Sequence, residues 1–296
     1  VYDFGGGTFD FCVVDVSEAA FRVVCAGGDP WLGGDDFDSV LATMVADRFW
    51  SDSGIDLRTR AVEWQSLVHA CEETKRQLSK DRSAQVQVDN LVHTSEGMRG
   101  LKYKVTRKDF VRVASDLIER SVNITKQIMQ QAGVDPRKVD QVVLTGGTSM
   151  IPAIRDAVTK LFGRKPMTGD PELAVVRGTA LRAAELSGES MGETSMSGRT
   201  LREVAGRTIG VSIEGSGVVT IFERDTPLPA EAEHVFNTVR DNQTDMVVTL
   251  YEGAKSRVDE RQVLGQLRYR GLRPLPAGQN HIDFTFILDE DGLLHV

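Results

Sequence analysis

Cysteine is scarce: only Cys12, Cys25 and Cys71 occur in 296 residues. An odd count without a C-x-x-C pair excludes a disulfide framework and a cysteine zinc site, and reads as a reducing compartment. Long apolar runs are missing too. No stretch approaches ~18 uninterrupted apolar residues, so no transmembrane helix is offered. Basic charge is in deficit, with 35 Lys and Arg against 43 Asp and Glu. A net charge of −8 argues against nucleic acid or an anionic membrane as main partner. An initiator Met and a signal peptide are also lacking. The chain opens on Val-Tyr-Asp, which reads as the end of a strand, so a piece of a longer protein is expected.

What is present suits a folded protein of about two domains. Apolar residues make up 41% and charged residues 26%. Residues 1–187 mix short strands with amphipathic helices. Residues 188–207 form an expected linker, of which 188–200 is small and polar. Residues 208–296 alternate apolar runs with Gly, Pro, Asn and Asp, which predicts an all-β domain. The expected fold class is a partial α/β lobe followed by an all-β sandwich.

Within the first part, the pattern predicts a strand ending at Phe4 and strands over 8–16 and 21–27 about a turn at Ser17–Ala20. Cys12 and Cys25 are expected to face each other there as buried thiols. Helical spacing predicts helices over 36–50, 58–80 and 106–132, the last opened by a Thr106/Asp109 capping box. Val139–Leu144 reads as a strand, and Pro152 and Pro171 as helix starts.

Four motifs carry candidate chemistry. Asp3-Phe4-Gly5-Gly6-Gly7-Thr8-Phe9-Asp10 puts three glycines after a strand. Their N–H groups could cradle phosphate, Thr8 adds a hydroxyl, and Asp3 and Asp10 could hold a cation or a water. A glycine-rich hairpin with solvated acids is the alternative. Gly33-Gly34-Asp35-Asp36-Phe37-Asp38 opens a helix with acids in its first turn, which could simply complement the helix dipole. Glu72, Lys75, Arg76 and Ser79 share one helix face, either lining a ribose and base or forming a solvated charged face. Leu144-Thr145-Gly146-Gly147-Thr148 runs a strand into a tight turn at the carboxyl end of a sheet, where ligands bind, although tight turns are common. His69, His93, His234, His281 and His295 show no ligand spacing.

Taken in order, DFGGGTFD, GGDDFD at 33–38, CEETKRQLS at 71–79 and LTGGTSMIP at 144–152 resemble the seventy-kilodalton heat-shock chaperones, the DnaK-type family. Asp241-Asn242-Gln243, Tyr251-Glu252-Gly253 and Leu264–Val296 are similar to that family's peptide-binding β-sandwich. The resemblance implies lobe II of an actin-like ATPase in residues 1–187. Gly5, Gly6, Gly7 and Thr8 would then contact phosphates, and Asp3 would order water and nucleophile, making Asp3 and Thr8 the catalytic candidates. Asp10 and Asp36 would lie near a monovalent cation. Glu72, Lys75, Arg76, Ser79, Gly146, Gly147 and Thr148 would line the adenosine. Val211, Ile213, Phe236, Val239, Met246 and Val248 would line a peptide cleft, their alternative being ordinary sandwich core.

The implied cofactors are ATP or ADP, Mg2+ and K+. The implied partners are unfolded or extended segments, a J-domain co-chaperone and a nucleotide-exchange factor, with no nucleic acid and no membrane. A cytoplasmic, stress-response chaperone is expected. ATP hydrolysis is expected of the full-length protein rather than of these residues alone, because lobe I would precede Val1 and a helical lid would follow Val296.

Several departures from the family stand out. Met150 occupies the place of an adenine-stacking arginine, and Glu172 that of an aspartate. Leu201-Arg202-Glu203-Val204 replaces a leucine-rich acidic linker, and Glu214 stands near an arch methionine. The alternative function is a divergent binding module with weak or lost ATP turnover. A sugar kinase or filament protein fits less well, because such proteins carry no sandwich after the ATPase domain.

Overall fold

The structure, a computed structural model, describes residues 1–17, 20–95, 97–170, 173–187, 200–213, 218–252 and 263–296, with the side chains of 185, 186, 200, 201 and 213 left out. Most of the expected linker (188–199), the middle of the turn at Ser17–Ala20, Pro171, Glu172, Glu214, Gly253 and the Leu201 side chain therefore lie outside the described residues. The chain divides into two compact units: Val1–Phe11 with Gly28–Ser195, and Cys12–Gly27 with Met196–Val296.

The first unit contains β1 (Tyr2–Phe4), the start of β2 (Phe9–Val16) and the end of β3 (Ala20–Asp29). Helices α1 (Gly34–Ser53) and α2 (Ala61–Lys80) follow, then the hairpin β4 (Ser83–Thr94) and β5 (Gly97–Thr106). After these come α3 (Arg107–Val113), α4 (Ser115–Gln131), β6 (Val143–Thr145), α5 (Pro152–Phe162), β7 (Met167–Thr168) and α6 (Ala174–Leu186). The central sheet runs β7-β6-β1-β2, with β6 parallel and β2 antiparallel to β1.

Phenyl rings tie this sheet to its helices. Phe4 packs on Phe9 at 5.1 Å and on Phe37 of α1 at 5.5 Å, and Phe37 meets Phe110 of α3 at 6.3 Å. All four are buried. The buried Tyr2 hydroxyl donates to Ser121 Oγ at 2.6 Å, which satisfies it inside the core.

Comparison with the sequence pattern brings corrections. The helix expected over 106–132 is two helices, broken at Ala114, where ψ is 2°. Its capping box is present, Thr106 Oγ1 accepting from the Asp109 N–H at 3.2 Å. Of the segment Val139–Leu144 read as a strand, only Val143 and Leu144 lie in one, β6, which runs on to Thr145. The β4–β5 hairpin has no counterpart in the sequence reading. The signal was present, since Ala84, Val86 and Val88 alternate with Gln85, Gln87 and Asp89, and Leu101, Tyr103 and Val105 with Lys102 and Lys104.

The second unit contains β8 (Thr200–Arg202), β9 (Ile209–Ile213), β10 (Val218–Phe222), β11 (Ala230–Asn237), β12 (Asp245–Glu252), β13 (Val263–Arg270), β14 (His281–Leu288) and β15 (Leu294–His295). Thr200–Arg202, at the end of the expected linker, pair in parallel with Ala20–Arg22 of β3, and Ala205 is buried. Cys25 is buried and Cys12 partly buried. One antiparallel sheet runs β10-β9-β12-β13 and another β11-β14-β15. Alternation sends Ala232, His234 and Phe236 to one face of β11, and Ile282, Phe284, Phe286 and Leu288 to one face of β14. Both sheets contribute to one apolar core that includes Val211, Phe222, Phe236, Met246, Val248, Phe286 and Leu288.

Phe37 joins α1 to the central sheet and to α3, so its removal leaves a cavity shared by three elements. Phe37→Ala should cost about 3–5 kcal/mol in the unfolding of the first unit, and Phe37→Leu clearly less. Calorimetric unfolding of both variants checks this; equal losses would mean that the volume of the cavity does not set the cost.

Candidate functional site

The four motifs meet at one loop. Gly5–Thr8 connects two antiparallel strands in which Asp3 lies opposite Asp10 and Phe4 opposite Phe9. The Gly5 N–H donates to the Thr8 carbonyl at 3.0 Å and closes the turn. The Gly5 carbonyl then accepts from two distant segments: the Gly34 N–H at 3.0 Å and Thr148 Oγ1 at 2.8 Å. The Gly6 carbonyl accepts from the Asp35 N–H at 2.8 Å. The free donors of the first turn of α1 are thus spent on the loop, so the helix start holds the loop rather than a ligand.

This approach requires glycine at 33 and 34. A Cβ on Gly33 would fall 2.3 Å from the Gly6 carbonyl oxygen, and one on Gly34 would fall 2.7 Å from Thr148 Oγ1. Gly146 has φ of +80°, and a Cβ there would strike the Phe4 carbonyl at 2.3 Å. Gly6, Gly7 and Gly147 differ: all three are exposed, with nothing within 4 Å of an added Cβ. The Gly6 and Gly7 N–H groups have no hydrogen-bond partner among the described residues. Two successive exposed N–H groups with open space around them are the kind of donors an anion needs.

Acids flank this loop. Burial holds the Asp3 carboxyl above its ordinary range, and the Asp10 carboxylate pushes the same way. Asp10 is exposed and accepts from Thr8 Oγ1 at 3.0 Å. Asp36 accepts the Gly33 N–H at 2.8 Å as part of the helix cap. Among the described residues no group of three or more His, Cys, Asp or Glu gathers into a metal cluster.

The face expected on α2 splits in two. Glu72 pairs with the exposed Arg76 at 2.7 Å, and Ser79 Oγ donates to the Lys75 carbonyl at 3.3 Å. Lys75 instead turns inward. Its ammonium donates to Asp38 Oδ2 at 2.7 Å and to the Gly34 carbonyl at 2.9 Å, with both side chains buried. Burial raises the Asp38 carboxyl, and Lys75 partly offsets that shift. Asp38 Oδ1 has no hydrogen-bond partner among the described residues. The same burial, together with the Asp38 charge, pushes the Cys71 thiol up to about 12 and leaves it unreactive.

Sequence reasoning missed this pair. The signal was available: Asp38 lies on the face of α1 that carries Gly34, Leu41, Ala42 and Val45, where a carboxylate needs a buried cation. Arg155, one turn into α5, was also missed. Its guanidinium reaches the sulfur of the exposed Met150 at 3.1 Å, beside the Gly146-Gly147 turn.

In the second unit, Val211, Phe236, Met246 and Val248 are buried in the shared core, while Val239 is 39% exposed. The Ile213 side chain lies outside the described residues. Val239 sits at a turn closed by Gln243, whose Oε1 accepts the Val239 and Arg240 N–H groups at 3.0 and 3.2 Å. A family model described as Hsp70 protein matches residues 1–296.

Lys75→Met should leave Asp38 buried without its cation and cost about 3–5 kcal/mol at neutral pH. The double variant Lys75→Met/Asp38→Leu should recover most of that loss. Because burial raises the folded pKa of Asp38 above its unfolded value, the neutral acid is favoured in the fold. The deficit of the single variant should therefore shrink as pH falls through that raised pKa. Denaturant unfolding across pH checks both; a pH-independent deficit would contradict the assignment.

Proposed function

The chain belongs to the Hsp70 family, and on that premise we propose an ATP-dependent chaperone. Nucleotide binds at the Gly5–Thr8 loop of the first unit, and an extended apolar segment binds at the second. Chaperone-type function follows from the family; the finer assignments are our reading. The observation that carries it is the convergence of Gly34 and Thr148 on the Gly5 carbonyl, because it holds the Gly6 and Gly7 N–H groups outward as a preformed anion site.

The residues present fit the nucleotide and its metal. Exposed N–H groups and the Thr8 hydroxyl suit phosphate oxygens. Asp3 and Asp10 lie opposite each other on paired strands with Asp10 raising Asp3, and a cation would relieve that repulsion. Magnesium, when bound, neutralises charge on the transferring phosphoryl group. Asp3 holds and orients water, and Asp10 and Asp36 supply carboxylate oxygens for cations, K+ among them. Glu72, Arg76 and Ser79 face the ribose and base, while Gly146, Gly147 and Thr148 form the opposite wall. Lys75, with two of its three N–H donors engaged inside, acts chiefly as the brace of the site.

In the second unit we infer a β-sandwich whose cleft runs past Val239, with Val211, Phe236, Met246 and Val248 as its floor. Residues 1–187 are read as the ATPase lobe and 208–296 as the peptide-binding domain. Extended peptides are the expected clients, with a J-domain protein and a nucleotide-exchange factor as partners. No helix among the described residues is long and apolar enough to cross a membrane, and we assign the protein to the cytoplasm.

The second reading, a divergent module with weak or lost turnover, rests on Met150 in place of the family's arginine and on Leu201-Arg202-Glu203-Val204 in place of its leucine-rich acidic linker. Arg155 weighs against it, since its guanidinium supplies a cation beside the same turn.

Gly7→Val adds bulk where nothing lies within 4 Å, so unfolding free energy should change by less than about 0.5 kcal/mol. ADP affinity, read by calorimetric titration, should fall about tenfold or more; unchanged affinity would remove the loop from the nucleotide site. Val239→Asp should weaken a labelled leucine-rich peptide about tenfold in fluorescence anisotropy, and equal binding would remove the cleft.

A further inference from the structure

The two sheets of the second unit treat their edges differently. β11, an edge of the three-stranded sheet, exposes Glu231 and Glu233 beside a single apolar side chain, Val235. Such charges guard an edge against further pairing. β13, an edge of the four-stranded sheet, exposes apolar side chains instead: Val263 at 37%, Leu264 at 52%, Leu267 at 36% and Tyr269 at 50%. Leu267 and Tyr269 stand opposite Val248 and Met246, which are buried. They therefore extend the core face of the sheet, and the core ends before it reaches them. At eight residues, β13 is long enough to template another strand, and it carries no proline.

The other face of β13 carries exposed Arg268 and Arg270. Neither guanidinium has a hydrogen bond or ion pair among the described residues. These two charges decide what the edge accepts. Antiparallel pairing with a second copy of β13 would bring the arginines of both chains together, and like charges across a strand pair are destabilising. A strand that alternates apolar and carboxylate residues would satisfy both faces at once. Its apolar side chains would cover Leu267 and Tyr269, its acids would meet Arg268 and Arg270, and its backbone would take up the outward N–H and C=O groups.

We propose that β13 is a docking edge for an extended acidic segment of a partner protein, one alternating apolar and acidic residues and added as a further strand. This surface is separate from the cleft past Val239 and does not depend on that cleft.

The test uses a fluorescein-labelled eight-residue peptide of alternating valine and glutamate, titrated into the 296-residue chain and followed by anisotropy. It should bind, weaken with added salt, and bind at least about tenfold better than its valine–lysine counterpart. Arg268→Glu/Arg270→Glu, at exposed positions, should invert that preference. A peptide N-methylated on alternate residues keeps its charge but loses the strand hydrogen bonds, and should not bind; this arm needs no change in the protein. No binding of the parent peptide, equal binding by the charge-reversed variant, or full binding of the N-methylated peptide would overturn the proposal. So would displacement by an uncharged leucine-rich peptide, which would put the ligand in the cleft. Concentration-dependent dimers in sedimentation that disappear in the double variant would show that a second copy occupies the edge, and would overturn it as well.

Discussion

The Gly5 carbonyl is the point on which the candidate site depends. It accepts from the backbone at the start of α1 and from the Thr148 hydroxyl, so residues 29 and 143 positions away in sequence are held to one peptide unit. A carbonyl has two lone pairs, and both are used here in a partly buried setting where each bond is hard to replace. With the carbonyl side fixed inward, the neighbouring N–H groups are left facing out. The outward face of the loop is thus a consequence of how the loop is anchored.

The anchor has its own support. Lys75 grips the Gly34 carbonyl and Asp38 together, which ties α2 to the first turn of α1 and so to the loop. A buried ion pair is weak evidence for stability, but removing one partner is costly because the other charge stays buried. Glycine at 33 and 34 is the other half of the arrangement, because any side chain there would collide with the loop or with Thr148. The result is a chain of contacts from α2 through α1 to the loop, with the Gly146 turn closing the opposite side.

The second unit follows a different rule. Its strands are placed by period-two burial, and its two sheets share one core. That core ends before β13 does, which leaves apolar side chains and arginines together on a strand edge. An edge with this composition is at once a hazard for self-association and a selective surface, and the arginines tip it toward selection.

Much of this was legible in the chain itself. The glycine doublets, the Thr106 cap, the helical stripes of α1 and α2 and the alternation along β11 and β14 are local signals, because turn chemistry and periodicity act over a few residues. The order of the four motifs carried the family resemblance. The tertiary structure decided what local pattern could not express. It broke one expected helix into α3 and α4. It also turned Lys75 away from its own helix face toward Asp38 and brought Arg155 to Met150. It sank Val211, Phe236, Met246 and Val248 into the core while leaving Val239 exposed. Each of these depends on which distant surface lies alongside, and a residue's partner across the fold is set by packing, which sequence spacing does not encode.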